Sequence, residues 1–327
     1  MSTSLRALIT GASGFLGTFL AEHLLDCGDE VLGCSPDGSW EKSTPASLKD
    51  RVELLAWDLS DPEGVPAEVR RRIVDFRPDC IYHLAAVSVP EDCGQQEPLP
   101  LAMAVNVGGT QRVMELAASL DFHPRVLLTS SSRVYAPVSP ESPKLRETAL
   151  LGPRSAYGRT KLAAEAEVLR AVRQHDCDAI IVRSFQQAGP RQDPRMMLSQ
   201  WARQFAAGGS RPVEVYTRDA QIDLCDGRDA VRAYRLLIEQ GRSGAVYNVG
   251  SGIGRPSGDV LDILHHLADP QRPIVELRPG FKQDPIADIG RLVRCTGWRA
   301  TIPLETTAAD TLAWWEEFLS ERPGGRP

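Results

Sequence analysis

Short apolar runs recur along this chain at Arg6 to Thr10, Glu30 to Cys34, Val52 to Trp57, Cys80 to Leu84, Val126 to Ser130 and Ala179 to Arg183. Runs this short, rich in Val, Ile and Leu on consecutive positions, predict strands buried on both faces of a sheet. Between most of them the apolar positions return every three or four residues, as over Val65 to Phe76, Leu101 to Leu120 and Tyr157 to His175. That period predicts helices with one face turned to a core. Strands alternating with helices predict an α/β fold built on a doubly wound parallel sheet, in which ligands sit beyond the carboxyl ends of the strands. Beyond Gly189-Pro190 the composition shifts to Arg, Pro and Gly with shorter elements, which predicts a smaller C-terminal α/β lobe over the crevice. The last residues, Arg322-Pro323-Gly324-Gly325-Arg326-Pro327, predict a disordered tail.

Composition excludes several classes. A chain of 327 residues, 42% hydrophobic, is long enough to bury a substantial core. Its formal charge of -6 gives no support for nucleic-acid binding and leaves anion recognition to individual arginines, so small-molecule partners are expected. The 7 cysteines are scattered without a C-x-x-C pair, which fits reduced thiols used as small buried hydrophobes. No metal site is expected. No signal-peptide pattern opens the chain and no apolar run reaches the ~18 residues needed to span a bilayer, so a cytoplasmic protein without membrane contact is expected.

Two spacings carry candidate chemistry. The first apolar run leads directly into Gly11-Ala12-Ser13-Gly14-Phe15-Leu16-Gly17 and then a helical pattern to Cys27. A glycine-rich turn between strand and helix is the context for dinucleotide binding. Gly11 would make the tight turn, Gly14 would admit the pyrophosphate to the backbone, and Gly17 would permit close helix packing, with phosphates at the helix N-terminus. Farther on, Tyr157 precedes Lys161 by four residues on a predicted helix, so the two share a face. A phenol titrates near ~10 and an adjacent ammonium favours its anion. The pair therefore reads as a proton acceptor, and on spacing alone it reads equally as two neighbours on a helix surface.

Together with Thr129-Ser130-Ser131-Ser132-Arg133-Val134-Tyr135, these motifs resemble the extended short-chain dehydrogenase/reductase family, whose marks are T-G-x-x-G-x-x-G, here Thr10 to Gly17, and Y-x-x-x-K. Asp226 to Tyr234, Val246 to Gly252 and Thr296-Gly297-Trp298 resemble its nucleotide-sugar branch, with GDP-4-keto-6-deoxymannose reductases and GDP-mannose 4,6-dehydratases nearest in pattern. The resemblance implies a Rossmann domain over 1–188 and a mainly substrate-binding lobe over 189–321 that can return strands or helices to the first. It implies a homodimer paired through Leu101 to Leu120 and Tyr157 to His175. It implies Tyr157 as the acid/base and Lys161 as the cation that lowers its pKa and holds the nicotinamide ribose. Ser131 is implied as the hydroxyl that holds the substrate oxygen, Ser130 and Ser132 being the alternatives if the count shifts by one. Around the cofactor it implies Phe15, Leu16, Asp58, Leu59, Leu84, Ala85, Ala86 and Phe185 beside the three glycines, and on the substrate side Ser88 and Ser132.

Arg133 departs from the family pattern, because the dehydratases usually carry Glu there as the base that strips a carbon-bound proton. A guanidinium cannot accept a proton, so dehydration is not expected, and Arg133 reads as a substrate contact or as a surface salt bridge. What remains is C4 chemistry on a nucleotide-diphosphate sugar. The first reading is an NAD-dependent 4-epimerase working through a 4-keto intermediate. The second is an NAD(P)H-dependent 4-ketoreductase, and the third a nucleotide-binding sensor without turnover. The loop Cys34-Ser35-Pro36-Asp37-Gly38 carries no cation until Lys42, and Asp37 falls about 20 residues past Gly17, where an acidic side chain binds a ribose 2'-hydroxyl and repels a 2'-phosphate. NAD is thus expected ahead of NADP, with a plain turn as the other reading of Asp37. On the substrate side Gln186 replaces an expected Asn and Ile222 an expected diphosphate-binding Arg, leaving Arg191, Arg228 and Arg278 as candidates for that role.

Overall fold

The structure is a computed structural model that describes residues 4–321; the tail at 322–327 lies outside the described residues. Seven strands form the central sheet: β1 (Arg6–Thr10), β2 (Glu30–Ser35), β3 (Glu53–Ala56), β4 (Cys80–His83), β5 (Arg125–Ser131), β6 (Ala179–Ser184) and β7 (Val246–Val249). Their order across the sheet is β7-β6-β5-β4-β1-β2-β3. Every pairing is parallel. The chain winds outward in one direction from β1 through β3 and in the other from β4 through β7. The switch lies between β1 and β4, which is where a doubly wound sheet opens a crevice at its carboxyl edge.

Alternating side chains on each strand feed two separate cores. On one face Ala7 and Ile9 of β1 and Tyr82 of β4 pack with Leu20 and Leu24 of helix α1 (Phe15–Asp26). On the other, Leu8, Ile81 and Leu128 pack with α2 (Ala67–Phe76), α3 (Gly109–Ser119) and α4 (Ala156–His175) through Ile73, Val113 and Val168. A third core, in the smaller lobe, joins α5 (Met197–Ala206) to two later helices through Leu198, Trp201, Leu264 and Trp315. The segment 189–321 also supplies β7 to the main sheet. Short strands tie the lobes together, Leu224–Asp226 beside Gln186–Ala188 and Ile286–Ala287 beside Lys144–Leu145.

Predicted boundaries shift by a residue or two, with local causes. The helix expected from Val65 begins at Ala67, because Pro66 at its N-cap disfavours helical dihedrals in the residue before it. The helix expected over Leu101 to Leu120 starts at Pro100 and is interrupted by a π-helical turn at Ala104–Gly108 before α3. Among the described residues no helix is long and apolar enough to cross a membrane.

Candidate active site

The glycine turn has the form that its sequence requires. Gly11 holds φ at 74°, and a Cβ there would meet the Ala85 backbone nitrogen at 2.7 Å. A Cβ on Gly17 would sit 2.0 Å from the Gly11 carbonyl oxygen, so α1 can approach the turn only with glycine at this place. Gly14 caps α1, leaving the first backbone N–H groups of the helix facing a crevice of about 690 Å³. Phe15, Leu16, Asp58, Leu59, Leu84, Ala85, Ala86 and Phe185 all line that crevice, together with the three glycines. The expected cofactor residues therefore converge on one surface and fit a dinucleotide.

Asp37 does not. It lies outside the crevice lining and is exposed, its Oδ1 accepting the Ser39 N–H at 3.0 Å and the Ser39 hydroxyl at 2.7 Å. Those bonds close a local turn and hold the carboxyl below its ordinary range. Ser35 and Pro36 line the crevice after β2, and neither is charged.

Ser131, Tyr157 and Lys161 meet where β5 ends and α4 begins. Ser131 is the last residue of β5, and its Oγ accepts the Arg133 N–H at 3.2 Å. The Ser155 hydroxyl caps α4 by accepting the Gly158 N–H at 3.1 Å. A Cβ on Gly158 would stand 2.3 Å from the Arg133 carbonyl, so glycine lets the first turn of α4 press against the turn that follows Ser131. Tyr157 and Lys161 are thereby brought beside the serine. The alternatives separate by their hydroxyls: all three serines line the crevice, but the Ser130 hydroxyl donates to Glu165 at 2.6 Å and is occupied, which leaves those of Ser131 and Ser132.

The electrostatics differ from the simple expectation. Lys161, 3% exposed, donates from Nζ to the Thr129 carbonyl at 2.9 Å and lies 6.0 Å from the centre of the Tyr157 ring. Burial lowers its pKa to about 8, against smaller opposing effects of Cys93 and Glu165. Burial likewise pushes the Tyr157 phenol up to about 12, with Ser131 and Arg133 pulling the other way. In the protein by itself desolvation thus outweighs Ser131 and Arg133 at the phenol, opposite to the direction that the Tyr157 and Lys161 spacing suggests.

Several supporting residues carried no sequence signal. Asn106 sits in the π-helical turn; its Oδ1 accepts the Val87 N–H at 2.8 Å and its Nδ2 donates to Thr160 Oγ1 at 2.9 Å, joining the loop after β4 to α4. His83 is sandwiched between Thr10 at 2.7 Å and Thr110 at 3.0 Å, and burial lowers its pKa to about 3, so it stays neutral. The only hint was a polar residue in an otherwise apolar run.

On the substrate side Ser88, Ser132, Arg133 and Gln186 line the crevice, and Arg191, Arg228 and Arg278 do not. Arg191 forms a two-pronged pair with Glu22 at 2.7 Å and stacks on Phe19; Arg228 is held by Asp226 and Asp310. Arg278 covers the ring of Tyr216. The guanidiniums of Arg191 and Arg228 are held by carboxylates, and Arg278 is exposed. Ile222 is buried in the core of the smaller lobe.

A model of the NAD dependent epimerase/dehydratase family matches residues 7–250. GDP-6-deoxy-D-mannose reductase of Pseudomonas aeruginosa is 27% identical, over 97% of this chain and 99% of its own. UDP-glucose 4-epimerase of Mycolicibacterium smegmatis is also 27% identical, over 95% of this chain and 98% of its own. Among solved structures, MoeE5 in complex with UDP-glucuronic acid and NAD is 27% identical with a TM-score of 0.78, covering 96% of this chain and 100% of that one. With its glycine cradle, parallel sheet and Y-x-x-x-K helix, the chain belongs to the NAD dependent epimerase/dehydratase family, an enzyme family of the extended short-chain dehydrogenase/reductase type.

Proposed function

We propose that this protein interconverts a secondary alcohol and a ketone at C4 of a nucleotide-linked sugar, as an NAD-dependent 4-epimerase. The observation that carries this reading is the meeting of Ser131, Tyr157 and Lys161 at the crevice that the glycine turn opens, with Arg133, which cannot act as a base, in the next turn. The Ser131 hydroxyl holds the substrate oxygen. Tyr157 takes the hydroxyl proton as the alcohol is oxidised and returns it when the ketone is reduced. Lys161 supplies the buried positive charge on the same helix face. When bound, the nicotinamide exchanges hydride with the reacting carbon and, oxidised, adds a positive charge that favours the phenolate. Rotation of the 4-keto sugar between the two transfers would invert C4.

The uncharged end of β2, Ser35-Pro36, supports NAD over NADP, since a 2'-phosphate would find no cation there. The likeness to UDP-glucose 4-epimerase and GDP-6-deoxy-D-mannose reductase along nearly the whole chain supports a nucleotide-sugar substrate and keeps a 4-ketoreductase as the second reading. The two part on the cofactor. An epimerase retains NAD through purification, so denaturing the protein and identifying the released nucleotide should yield NAD in near-stoichiometric amount. Recovery of apo-protein that binds NADPH in preference to NAD would overturn the epimerase and favour the reductase. Tyr157→Phe should keep the cofactor and lose turnover; activity within a few-fold of the parent would remove Tyr157 from the mechanism.

A further inference from the structure

The cations that line the crevice are Arg133 and Lys161 alone among the described residues. Lys161 is buried and engaged with the Thr129 carbonyl on the catalytic side. Arg133 is different. Its side chain is 42% exposed, and its guanidinium makes no hydrogen bond within the described residues. The ion pair it does form, with Asp284, is long at 3.7 Å. Asp284 is already served by Gln186 Nε2 at 3.1 Å and Lys282 Nζ at 3.2 Å. Arg133, Lys282 and Asp284 together carry one uncompensated positive charge, and the part of it that faces the crevice is the guanidinium.

Two neighbours complete the surface. Ser132, 8% exposed, lines the crevice with a hydroxyl that has no partner among the described residues. Gln186 is fixed by its bond to Asp284, and its Oε1 is buried with no hydrogen-bond partner. A buried acceptor of this kind costs about 1–3 kcal/mol until a donor reaches it. The set therefore offers a planar fork of donors and a hydroxyl within two residues of Ser131, and one fixed acceptor on Gln186 that lines the same crevice. A carboxylate matches the fork and an adjacent sugar hydroxyl matches the acceptor. A neutral hydroxymethyl or methyl group at C6 would leave the charge of the guanidinium unanswered.

We infer, on the strength of the C4 reading above, that the sugar is a uronic acid whose carboxylate is bound by Arg133, with Ser132 and Gln186 completing the contact. Arg133 is then a specificity residue: it selects which sugar has its C4 carbon placed at Ser131 and Tyr157.

The test compares pairs of substrates that differ only at C6: UDP-glucuronate against UDP-glucose, and GDP-mannuronate against GDP-mannose. Each is followed by NAD reduction in single turnover and by C4 exchange in the steady state. The parent enzyme should prefer the uronate of at least one pair. Arg133→Met should lower kcat/KM for that uronate about ten- to hundredfold more than for its neutral partner, the worth of a charge-assisted hydrogen bond. Arg133→Lys should recover part of the loss. A parent that turns over the neutral sugar as well as the uronate, with Arg133→Met changing both alike, would overturn the inference and leave the C4 reading intact. Failure to oxidise any of the four, although NAD is bound, would overturn that reading and the inference with it. Arg133 is half-exposed, so its replacement tests binding and not folding.

Discussion

Lys161 illustrates what burying an ammonium beside the crevice costs. Its ammonium is buried, and its pKa stands at about 8, against 10.5 for an exposed lysine. Between those values the unfolded chain binds more protons than the folded one, so stability rises with pH across that window and the penalty is fully present below about pH 8. At 1.36 kcal/mol per unit the penalty is of the order of 3 kcal/mol. Replacing Lys161 with Met should therefore raise the melting temperature at pH 7, raise it much less at pH 11, and abolish turnover, a trade of stability against activity. Thermal unfolding at the two pH values reads this directly; equal gains at both would mean that desolvation is not the cause. His83 adds a second dependence of the same sign. Its pKa of about 3 lies below the ordinary 6.5, so stability is lost as pH falls through that interval.

The residues proposed for catalysis on β5 and α4 are held in register by a buried ion pair between elements. Arg183 of β6 and Glu165 of α4 are 4% and 3% exposed and meet through two bonds, at 2.9 and 2.7 Å. Glu165 also accepts the Ser130 hydroxyl, one residue before Ser131, and stands one helical turn past Lys161. Arg183 continues to the Glu147 carbonyl at 3.0 Å and stacks over Tyr135, whose hydroxyl donates to Asn248 of β7 at 2.6 Å. Removing one member of such a pair strands a buried charge, at about 3–5 kcal/mol, whereas removing both is far milder. Glu165→Ala should accordingly destabilise by that amount in urea unfolding, and Glu165→Leu with Arg183→Met should cost less than either alone. Additive losses would show that the two side chains are not coupled. Neither was legible in the sequence, where each falls at a place that pattern alone assigns to a strand or a helix. The same holds for Asp284, which reaches Gln186 across 98 residues, and for Arg191, whose partner Glu22 lies 169 residues away. What was legible was local: the period of the strands, the glycine turn and the four-residue step from Tyr157 to Lys161 are each complete within a few residues. Asp37 is local too: of its two readings the structure shows the turn, closed by Ser39 two residues on, and Asp37 does not line the crevice.

At the scale of the whole molecule, the crevice is a gap between two lobes with separate cores, and the residues that bridge its rim bear on how it holds a sugar. We propose that the smaller lobe, carried mainly by 189–321, closes over the substrate. Arg195, just before α5, reaches the 3-10 turn Pro90–Cys93 that follows the cofactor side of the crevice, binding Asp92 at 2.9 and 3.0 Å. It also holds Asp193, which lines the crevice. Both carboxylates would otherwise face each other across the rim without a counter-ion. Exposed pairs add little to folding, because solvent screens them, so the value of this latch lies in where it places Asp193 and α5. Arg195→Met should leave the melting temperature near that of the parent and leave NAD content unchanged. It should raise KM for the sugar several-fold while kcat falls less, and high salt should reproduce part of the effect in the parent but not in the variant. A fall in kcat with KM unchanged would place Arg195 in the chemistry instead of the closure, and loss of bound NAD would show that the bridge serves the first lobe alone.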